Sequence, residues 1–355
     1  MSTADRRAAV LSLLPPDVDA ALITKVVNVR YLTGFTGSNG ALLLIRGGDA
    51  VLATDGRYRE QAGNESPDVE LHITRSLTTE LAALARSRGL QRIAIERQHV
   101  TLTQYDAILD AAAGAAFADA GNVVETLRSR KDDEEITALR TACEVTDRAF
   151  AGMLQRLTAG VTEREIAWAL LSAMRDAGAD AAAFDSIVAF GPHTAIPHHQ
   201  PTGRPLERGD FVKVDFGAQV AGYHADMTRT VVFGPAADWQ RELHAQVVDV
   251  QAQCRAATTV GAVPVELDAL AQRLVAETGH TLVHGLGHGV GLEIHEQPFL
   301  VPASPAATLD DRVPVTVEPG IYLPGKGGVR IEDTVLVGTE GTEVLTSSPR
   351  ELVEI

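Results

Sequence analysis

Two aspartates with the spacing of a β-hairpin stand in the carboxyl-terminal half of the chain. Asp215 lies in a strand-like segment, and Asp226 follows eleven residues later in what resembles the return strand. Because side chains alternate between the two faces of a strand, a hairpin could direct both carboxylates into one pocket. From these residues alone another interpretation stays open, in which Asp215 begins a turn at Gly217 and Asp226 pairs with Arg229.

A second segment combines histidines with glycines. His284, His288 and His295 fall within twelve residues, and glycine occupies every second position from 285 to 291. Four glycines in seven residues disfavour a helix, so His284 and His288 are not the ligand pair of a helical HExxH motif. The spacing also differs from that of a dinucleotide-binding fingerprint. Histidines flanked by residues that permit close backbone approach indicate a functional site.

Two glutamates complete the set of candidate residues. Glu318 ends one predicted strand, and Glu332 lies on the next, where alternation places it on the same face as Arg330 and Thr334. A carboxylate beside an arginine can be a simple ion pair. Four carboxylates, however, cannot share a buried site without a compensating charge.

Divalent cations would supply that charge. Carboxylate oxygens with one imidazole suit Mn²⁺ or Co²⁺ better than a thiolate site would, although Zn²⁺ and iron also accept such ligands. Paired metal ions lower the pKa of bound water and stabilise an oxyanion, which is the chemistry of hydrolysis. The residues therefore predict a dinuclear hydrolytic centre.

The elements that must position these residues divide the chain into two predicted domains, residues 1–125 and 126–355. The boundary lies in a polar stretch, as expected between domains. The first domain is predicted to be α/β, with strands at 20–24, 41–45, 50–54, 69–73 and 92–95 and helices at 57–63, 77–88 and 102–113. The second is predicted to be α+β, with helices at 136–153, 162–178, 239–258 and 265–277 and strands at 210–217, 222–233, 281–284, 313–318 and 328–337. Thr162 and Glu165 form a capping box at the start of one helix.

Composition excludes several classes of function. The 355 residues carry 31 Lys and Arg against 47 Asp and Glu, a net charge of −16, so we expect no nucleic-acid partner. No apolar run approaches the roughly 20 residues needed to span a bilayer, and the first residues do not have the pattern of a signal peptide, so we expect a cytoplasmic protein. Two cysteines cannot build a cysteine-based zinc site.

The ordered set Asp215, Asp226, His288, Glu318 and Glu332, within HGLGHGVGLEIHE, VEPG and GGVRIEDT, resembles the metal-dependent peptidases of the methionine aminopeptidase, prolidase and aminopeptidase P group. The likeness covers about residues 130–350. The strings YLTGFTGSNG and TDGRYREQA resemble the creatinase-like front domain of the Xaa-Pro branch. This resemblance implies a pita-bread catalytic domain, a curved antiparallel sheet backed by helices, behind a smaller creatinase-like domain.

The resemblance also implies roles for individual residues. The site would hold two divalent metal ions, most simply Mn²⁺, with Co²⁺ or Zn²⁺ as alternatives. Asp215 would bind the first ion, and Asp226 and Glu332 would bridge both ions. His288 and Glu318 would complete the coordination shell of the second ion. Glu318 would also shuttle a proton. The substrate side would comprise His198 and His295 as catalytic contacts, His284 near the proline ring and Arg330 supporting Asp215. His193 and His199 are interpreted as ordinary loop histidines.

Within the group, the main expectation is an Xaa-Pro aminopeptidase that releases the first residue of peptides with proline in second position. Phe299 follows the HEQP string where some dipeptidases place an arginine for the substrate carboxylate, so longer peptides are favoured. The alternative is an Xaa-Pro dipeptidase, or prolidase. The intact ligands argue against creatinase and against a catalytically inactive binding module of the same fold. Proline-containing peptides are the expected partners, and relatives imply a homodimer.

Overall fold

The computed structural model describes all residues from Met1 to Ile355. The chain forms two compact units, Met1–Arg128 and Ser129–Ile355, which are described separately. None of the helices combines the length and the apolar character that a membrane span requires.

The first unit is a mixed sheet flanked by helices. Its sheet has the order β4-β3-β2-β1-β5-β6, with strands β1 (Ala20–Ile23), β2 (Gly40–Ile45), β3 (Ala50–Thr54), β4 (Glu70–Ile73), β5 (Arg92–Ile95) and β6 (Ala116–Asp119). The helices are α1 (Thr3–Leu13), α2 (Val26–Thr33), α3 (Arg59–Glu65), α4 (Leu77–Ser87), α5 (Leu102–Ala111) and α6 (Val123–Ser129), with a short 3₁₀ turn at Gly56–Tyr58.

The core of this unit explains why its strands and helices could be predicted from the sequence. Strands β1, β2 and β3 are buried along their whole length, and α4 buries Leu81, Ala82 and Ala85 against the sheet. Apolar runs of four to six residues are typical of strands covered on both faces. The predicted strands and helices are confirmed, whereas α1, α2, β6 and α6 were not predicted. The predicted domain boundary at residues 125/126 falls inside α6.

The second unit begins with two helices whose starts are encoded locally. They are α7 (Asp133–Leu154) and α8 (Glu163–Asp176), followed later by α9 (Asp238–Ala257) and α10 (Pro264–Glu277). Asp132 and Glu135 form a capping box for α7, and the predicted box of Thr162 and Glu165 is confirmed for α8.

The strands of the second unit pair only antiparallel. They form sheets with the orders β11-β10-β7, β12-β9-β8, β14-β13-β15-β18-β19 and β16-β17. Their bounds are β7 (Ala181–Ala182), β8 (Ile187–Phe190), β9 (Phe211–Phe216), β10 (Ala218–Val220), β11 (Tyr223–His224), β12 (Met227–Val232), β13 (Gly287–Gly289), β14 (Glu296–Leu300), β15 (Val313–Val317), β16 (Gly320–Leu323), β17 (Gly327–Arg330), β18 (Asp333–Val337) and β19 (Glu343–Val344). A 3₁₀ turn covers Gly191–Ala195.

Clustered helices and antiparallel strands confirm the α+β class predicted for this half. Two predicted strands are interrupted: residues 225–226 separate β11 from β12, and residues 331–332 separate β17 from β18. The strand predicted at 281–284 is wrong, because pairing starts only at Gly287. Both interruptions contain a candidate site carboxylate, Asp226 and Glu332, so both breaks coincide with predicted metal ligands.

Candidate metal centre

Five separate chain segments bring the predicted metal ligands together. Asp215 lies near the end of β9, opposite Thr228 of β12, and Asp226 directly precedes β12. His288 is the middle residue of β13, Glu318 follows β15, and Glu332 lies between β17 and β18. All five line one cavity of about 420 Å³ within the second unit.

The distances between these side chains are those of a shared site. His288 Nε2 lies 3.5 Å from Asp226 Oδ2 and 3.4 Å from Glu318 Oε1. One ligand atom from each of Asp226, His288 and Glu332 lies within 4.8 Å of the others. Arg229 instead pairs with Asp333 at 2.8 Å, so the alternative that Asp226 pairs with Arg229 is wrong.

One hydrogen bond of the His288 ring leaves its other nitrogen available to bind a metal. Its Nδ1 lies 3.0 Å from the carbonyl oxygen of Gly289, which accepts only if Nδ1 carries the proton. Nε2 then presents a lone pair to the carboxylates, as a metal ligand must. Burial lowers the pKa of this imidazole to about 3, and His295 adds to the effect, so His288 stays neutral.

Electrostatic repulsion inside the cluster is strong. Burial raises the pKa of Asp226 well above its usual value, and Glu332, Asp215 and Glu318 add to the effect. Burial likewise raises the pKa of Glu332, with contributions from Glu318 and Asp215. Burial also raises the pKa of Glu318, to about 7, although Arg330 opposes the shift. Such a cluster needs cations to hold all of its carboxylates in the ionised form.

An unpaired atom indicates where a cation fits. Asp215 Oδ1 is buried and has no hydrogen-bond partner, although most buried polar atoms in proteins have one. Its other oxygen, Oδ2, accepts from Arg330 Nη2. Carboxylate oxygens with one imidazole are the donors that divalent first-row metals accept. The residues present therefore fit bound divalent metal ions.

Two residues not singled out from the sequence complete this environment. Thr228 donates to Glu332 Oε2 at 2.7 Å and accepts from Arg330 Nε at 3.0 Å. Tyr322 accepts from Arg330 Nη1 at 2.8 Å, and its hydroxyl lies 2.9 Å from His284 Nε2. Thr228 could have been identified from the hairpin, because it faces Asp215 in register. No sequence pattern indicates that Tyr322 belongs to the site.

The substrate-side residues predicted from the sequence also line the cavity. His198, His284 and His295 are among them, and the rings of His288 and His295 lie 4.3 Å apart. Burial lowers the pKa of His284 to about 4, so this imidazole is neutral and its Nε2 accepts from Tyr322. The apolar part of the wall consists of Phe184, Ile187, Ile294, Phe299 and Val301.

The other two histidines of the 191–202 segment are not ordinary loop residues. His193 Nδ1 and His199 Nε2 lie 2.8 and 2.9 Å from the two carboxylate oxygens of Glu163. Glu163 is fully buried at the start of α8. Its proximity to this segment could not be predicted from the sequence, because it depends on how α8 packs.

Comparison with known proteins gives matches along nearly the whole chain. Residues 137–339 match the model of metallopeptidase family M24, and residues 16–130 match that of the creatinase/prolidase N-terminal domain. An Xaa-Pro dipeptidase from Pyrococcus horikoshii is 35% identical over 338 residues, covering 95% of each chain.

Solved structures give the same result. The Xaa-Pro dipeptidase from Bacillus anthracis has a TM-score of 0.94 at 37% identity, covering 100% of both chains. An X-Pro aminopeptidase from Thermotoga maritima has a TM-score of 0.86 at 36% identity, covering 95% of this chain and 98% of that one. The resemblance to the Xaa-Pro peptidases and the predicted pita-bread fold are thus confirmed. The chain belongs to metallopeptidase family M24 and carries a creatinase/prolidase N-terminal domain in front of its pita-bread catalytic domain.

Proposed function

We propose that this metallopeptidase is an Xaa-Pro dipeptidase that uses two divalent metal ions, most simply Mn²⁺. The observation that carries the proposal is the carboxylate and histidine cluster in a cavity of about 420 Å³ with an apolar wall. That volume lies in the range of small-ligand sites, so it suits a dipeptide. The names of relatives from Pyrococcus horikoshii, Pyrococcus furiosus and Bacillus anthracis also favour dipeptides over the longer substrates expected from the sequence.

The proposed ligands are Asp215, Asp226, His288, Glu318 and Glu332. When bound, divalent cations lower the pKa of water and polarise a carbonyl oxygen. Arg330 holds one Asp215 oxygen and Thr228 holds one Glu332 oxygen, so the protein fixes these carboxylates before any ligand arrives. Glu318, whose Oε1 accepts from Thr316 at 3.2 Å, is the proposed carrier of the proton that the departing proline nitrogen requires.

The histidines are proposed to hold the substrate. His198 and His295 are both exposed to the cavity and can donate hydrogen bonds to the carbonyl region of the scissile bond or to the substrate carboxylate. Neutral His284, fixed by Tyr322, and the apolar wall with Phe299 form a surface suited to the proline ring. Dipeptide recognition would then depend on imidazole donors rather than on an arginine.

An Xaa-Pro aminopeptidase is the second candidate, and one observation favours it. Arg330 is the only lining residue with a permanent positive charge, and it already bonds Asp215, Thr228 and Tyr322. No unengaged arginine or lysine among the lining residues can take the carboxylate of a dipeptide. The structural relative from Thermotoga maritima is named an X-Pro aminopeptidase.

Three matched substrates distinguish the two candidates. The Mn²⁺-loaded protein is given an Xaa-Pro dipeptide, the same dipeptide with its carboxyl group amidated, and the peptide extended by one residue. A dipeptidase shows the highest kcat/KM for the free dipeptide and loses at least tenfold on amidation. Equal or faster release of Xaa from the tripeptide would establish the aminopeptidase instead. We further expect a homodimer, which light scattering tests.

A further inference from the structure

Outside the metal centre, the side chain of Glu163 organises one loop segment. Glu163 is the first residue of α8 and has no exposed surface. Its carboxylate accepts five hydrogen bonds, and every donor lies between residues 190 and 202. The donors are His193 Nδ1 at 2.8 Å and the Phe190 amide at 2.9 Å on Oε1, and His199 Nε2 at 2.9 Å, the Thr202 amide at 2.9 Å and Thr202 Oγ1 at 2.6 Å on Oε2.

These five hydrogen bonds tie residues 190–202 to the start of α8. The group formed by the Glu163 carboxylate and its donors is called the Glu163 clamp. Burial alone would raise the pKa of Glu163, but hydrogen bonds from Thr202, His199 and the Phe190 amide outweigh it and hold the pKa at about 2. An ionised carboxylate only accepts, so both histidines donate to it through the ring nitrogens that face it. Five donors use the accepting capacity of the two oxygens, which leaves no oxygen lone pair for a cation among these residues.

The clamped segment carries His198 into the cavity. His198 itself is exposed and lines the cavity, whereas the next residue, His199, is buried and bound to Glu163. On the other side of His198, Lys213 Nζ donates to the carbonyl oxygens of Ile196 at 2.7 Å and Pro197 at 3.2 Å. The backbone around His198 is thus held from both sides while its imidazole stays free.

We propose that Glu163 is a positioning residue that sets the place of His198 against the substrate. This inference rests on the proposed function, in which His198 contacts the substrate. In the Glu163→Gln variant one acceptor oxygen becomes an amide that donates, so two or three of the five donors face another donor. The segment loosens, and His198 no longer stays within hydrogen-bonding reach of the substrate. Misplacement of a catalytic contact by about 1 Å can cost about 100-fold in rate.

The test compares Glu163→Gln with Glu165→Gln, the same chemical change two residues along the same helix turn. Glu165 is exposed and bonds only with Thr162 in the capping box of α8, so its variant removes the same charge without altering a contact to residues 190–202. We expect Glu163→Gln to lower kcat on an Xaa-Pro dipeptide by 10- to 100-fold with unchanged Mn²⁺ affinity. Glu165→Gln should change kcat less than twofold. Amide hydrogen exchange should quicken in residues 190–202 only in the Glu163 variant.

A double-mutant cycle with His198→Ala decides whether Glu163 acts through His198. The fall in kcat/KM caused by Glu163→Gln should shrink to less than threefold in the His198→Ala background. The same fall in both backgrounds would overturn the proposal. Loss of one bound metal ion per chain in Glu163→Gln would also overturn it and identify Glu163, His193 and His199 as a third metal site.

Two further measurements keep the outcomes separate. If Glu163→Gln does not fold, Thr202→Val removes only one of the five hydrogen bonds and should lower kcat several-fold in the same direction. If the wild-type protein hydrolyses no Xaa-Pro peptide, the proposed function fails, but hydrogen exchange still tests the clamp. Unchanged exchange in residues 190–202 of the Glu163 variant would contradict the inference by itself.

Discussion

Arg330 and Asp215 form a buried ion pair that uses only one of the two carboxylate oxygens. Arg330 Nη2 donates to Asp215 Oδ2, and Asp215 Oδ1 has no hydrogen-bond partner although it is buried. The arginine therefore fixes the orientation of the carboxylate and leaves its second oxygen without a hydrogen bond, on a residue that lines the cavity. A side chain held in this way is prepared to bind a cation without reorganisation.

Replacing Arg330 with methionine should impair both folding and metal binding. The variant leaves Asp215 buried without its cation, which typically costs 3–5 kcal/mol. We expect a comparable loss in the free energy of unfolding, weaker Mn²⁺ binding and at least 100-fold lower kcat/KM. Urea unfolding, calorimetric titration and peptide hydrolysis measure these quantities. Arg241→Met, which removes a half-exposed surface pair with Glu354, should change the unfolding free energy by about 0.5 kcal/mol or less.

Glu332→Gln should have opposite effects on the metal-free and metal-loaded protein. Without metal, the buried carboxylates Asp215, Asp226, Glu318 and Glu332 repel one another, so removing one charge relieves repulsion. The metal-free variant should melt at a higher temperature than metal-free wild type. Metal should raise the melting temperature of wild type, by the equivalent of about 2.7 kcal/mol at 100 times Kd, and do little for the variant. A variant that is less stable in both forms would contradict this account.

The Glu163 carboxylate should make stability depend on acid pH. Its pKa falls from 4.5 to about 2 on folding, because hydrogen bonds to the ionised form outweigh burial. A lowered pKa contributes stability that is complete above pH 5 and is lost as the pH falls towards 2. Wild type should lose roughly 2 kcal/mol of its advantage over Glu163→Gln between pH 7 and pH 3. Urea unfolding at several pH values measures the difference, and a constant difference would show that Glu163 does not titrate as proposed.

Phe299→Ala tests the apolar wall of the cavity. Phe299 faces His288 across the β13–β14 pair and lines the cavity without contributing a ligand. Losing this ring should raise KM for an Xaa-Pro dipeptide by 10- to 100-fold, as expected for a lost apolar contact. Metal affinity should stay the same. A variant with unchanged KM would place the proline ring elsewhere in the cavity.

Local patterns accounted for much of the fold and for the grouping of the site. Helix α8 was predictable because Thr162 and Glu165 mark its start, and the alternation within β9 placed Asp215 on a definite face. The metal cluster could be expected because the oxygen donors and an imidazole lie on or beside strands of the same half of the chain. The strand at 281–284 was wrongly predicted, because an apolar run does not determine whether a partner strand lies beside it.

The contacts that hold the site in place could not be predicted from local patterns. Glu163 meets His193 and His199 across 30 and 36 residues, and this contact depends on packing of α8 against β8. Tyr322 on β16 reaches Arg330 because β16 pairs with β17, and its hydroxyl also meets His284, which lies before β13 in a distant part of the chain. The preferred length of the substrate could not be predicted either, because Phe299 indicates only that one arginine is absent.

The most direct test of the central claim is hydrolysis of an Xaa-Pro dipeptide during titration of metal-stripped protein with Mn²⁺. The account predicts no measurable cleavage without metal and activity that rises until two ions are bound per chain. The Asp226→Asn variant, which alters a predicted bridging ligand, should stay inactive throughout. Full activity in the metal-stripped protein, or no cleavage of any Xaa-Pro peptide with two ions bound, would contradict the account.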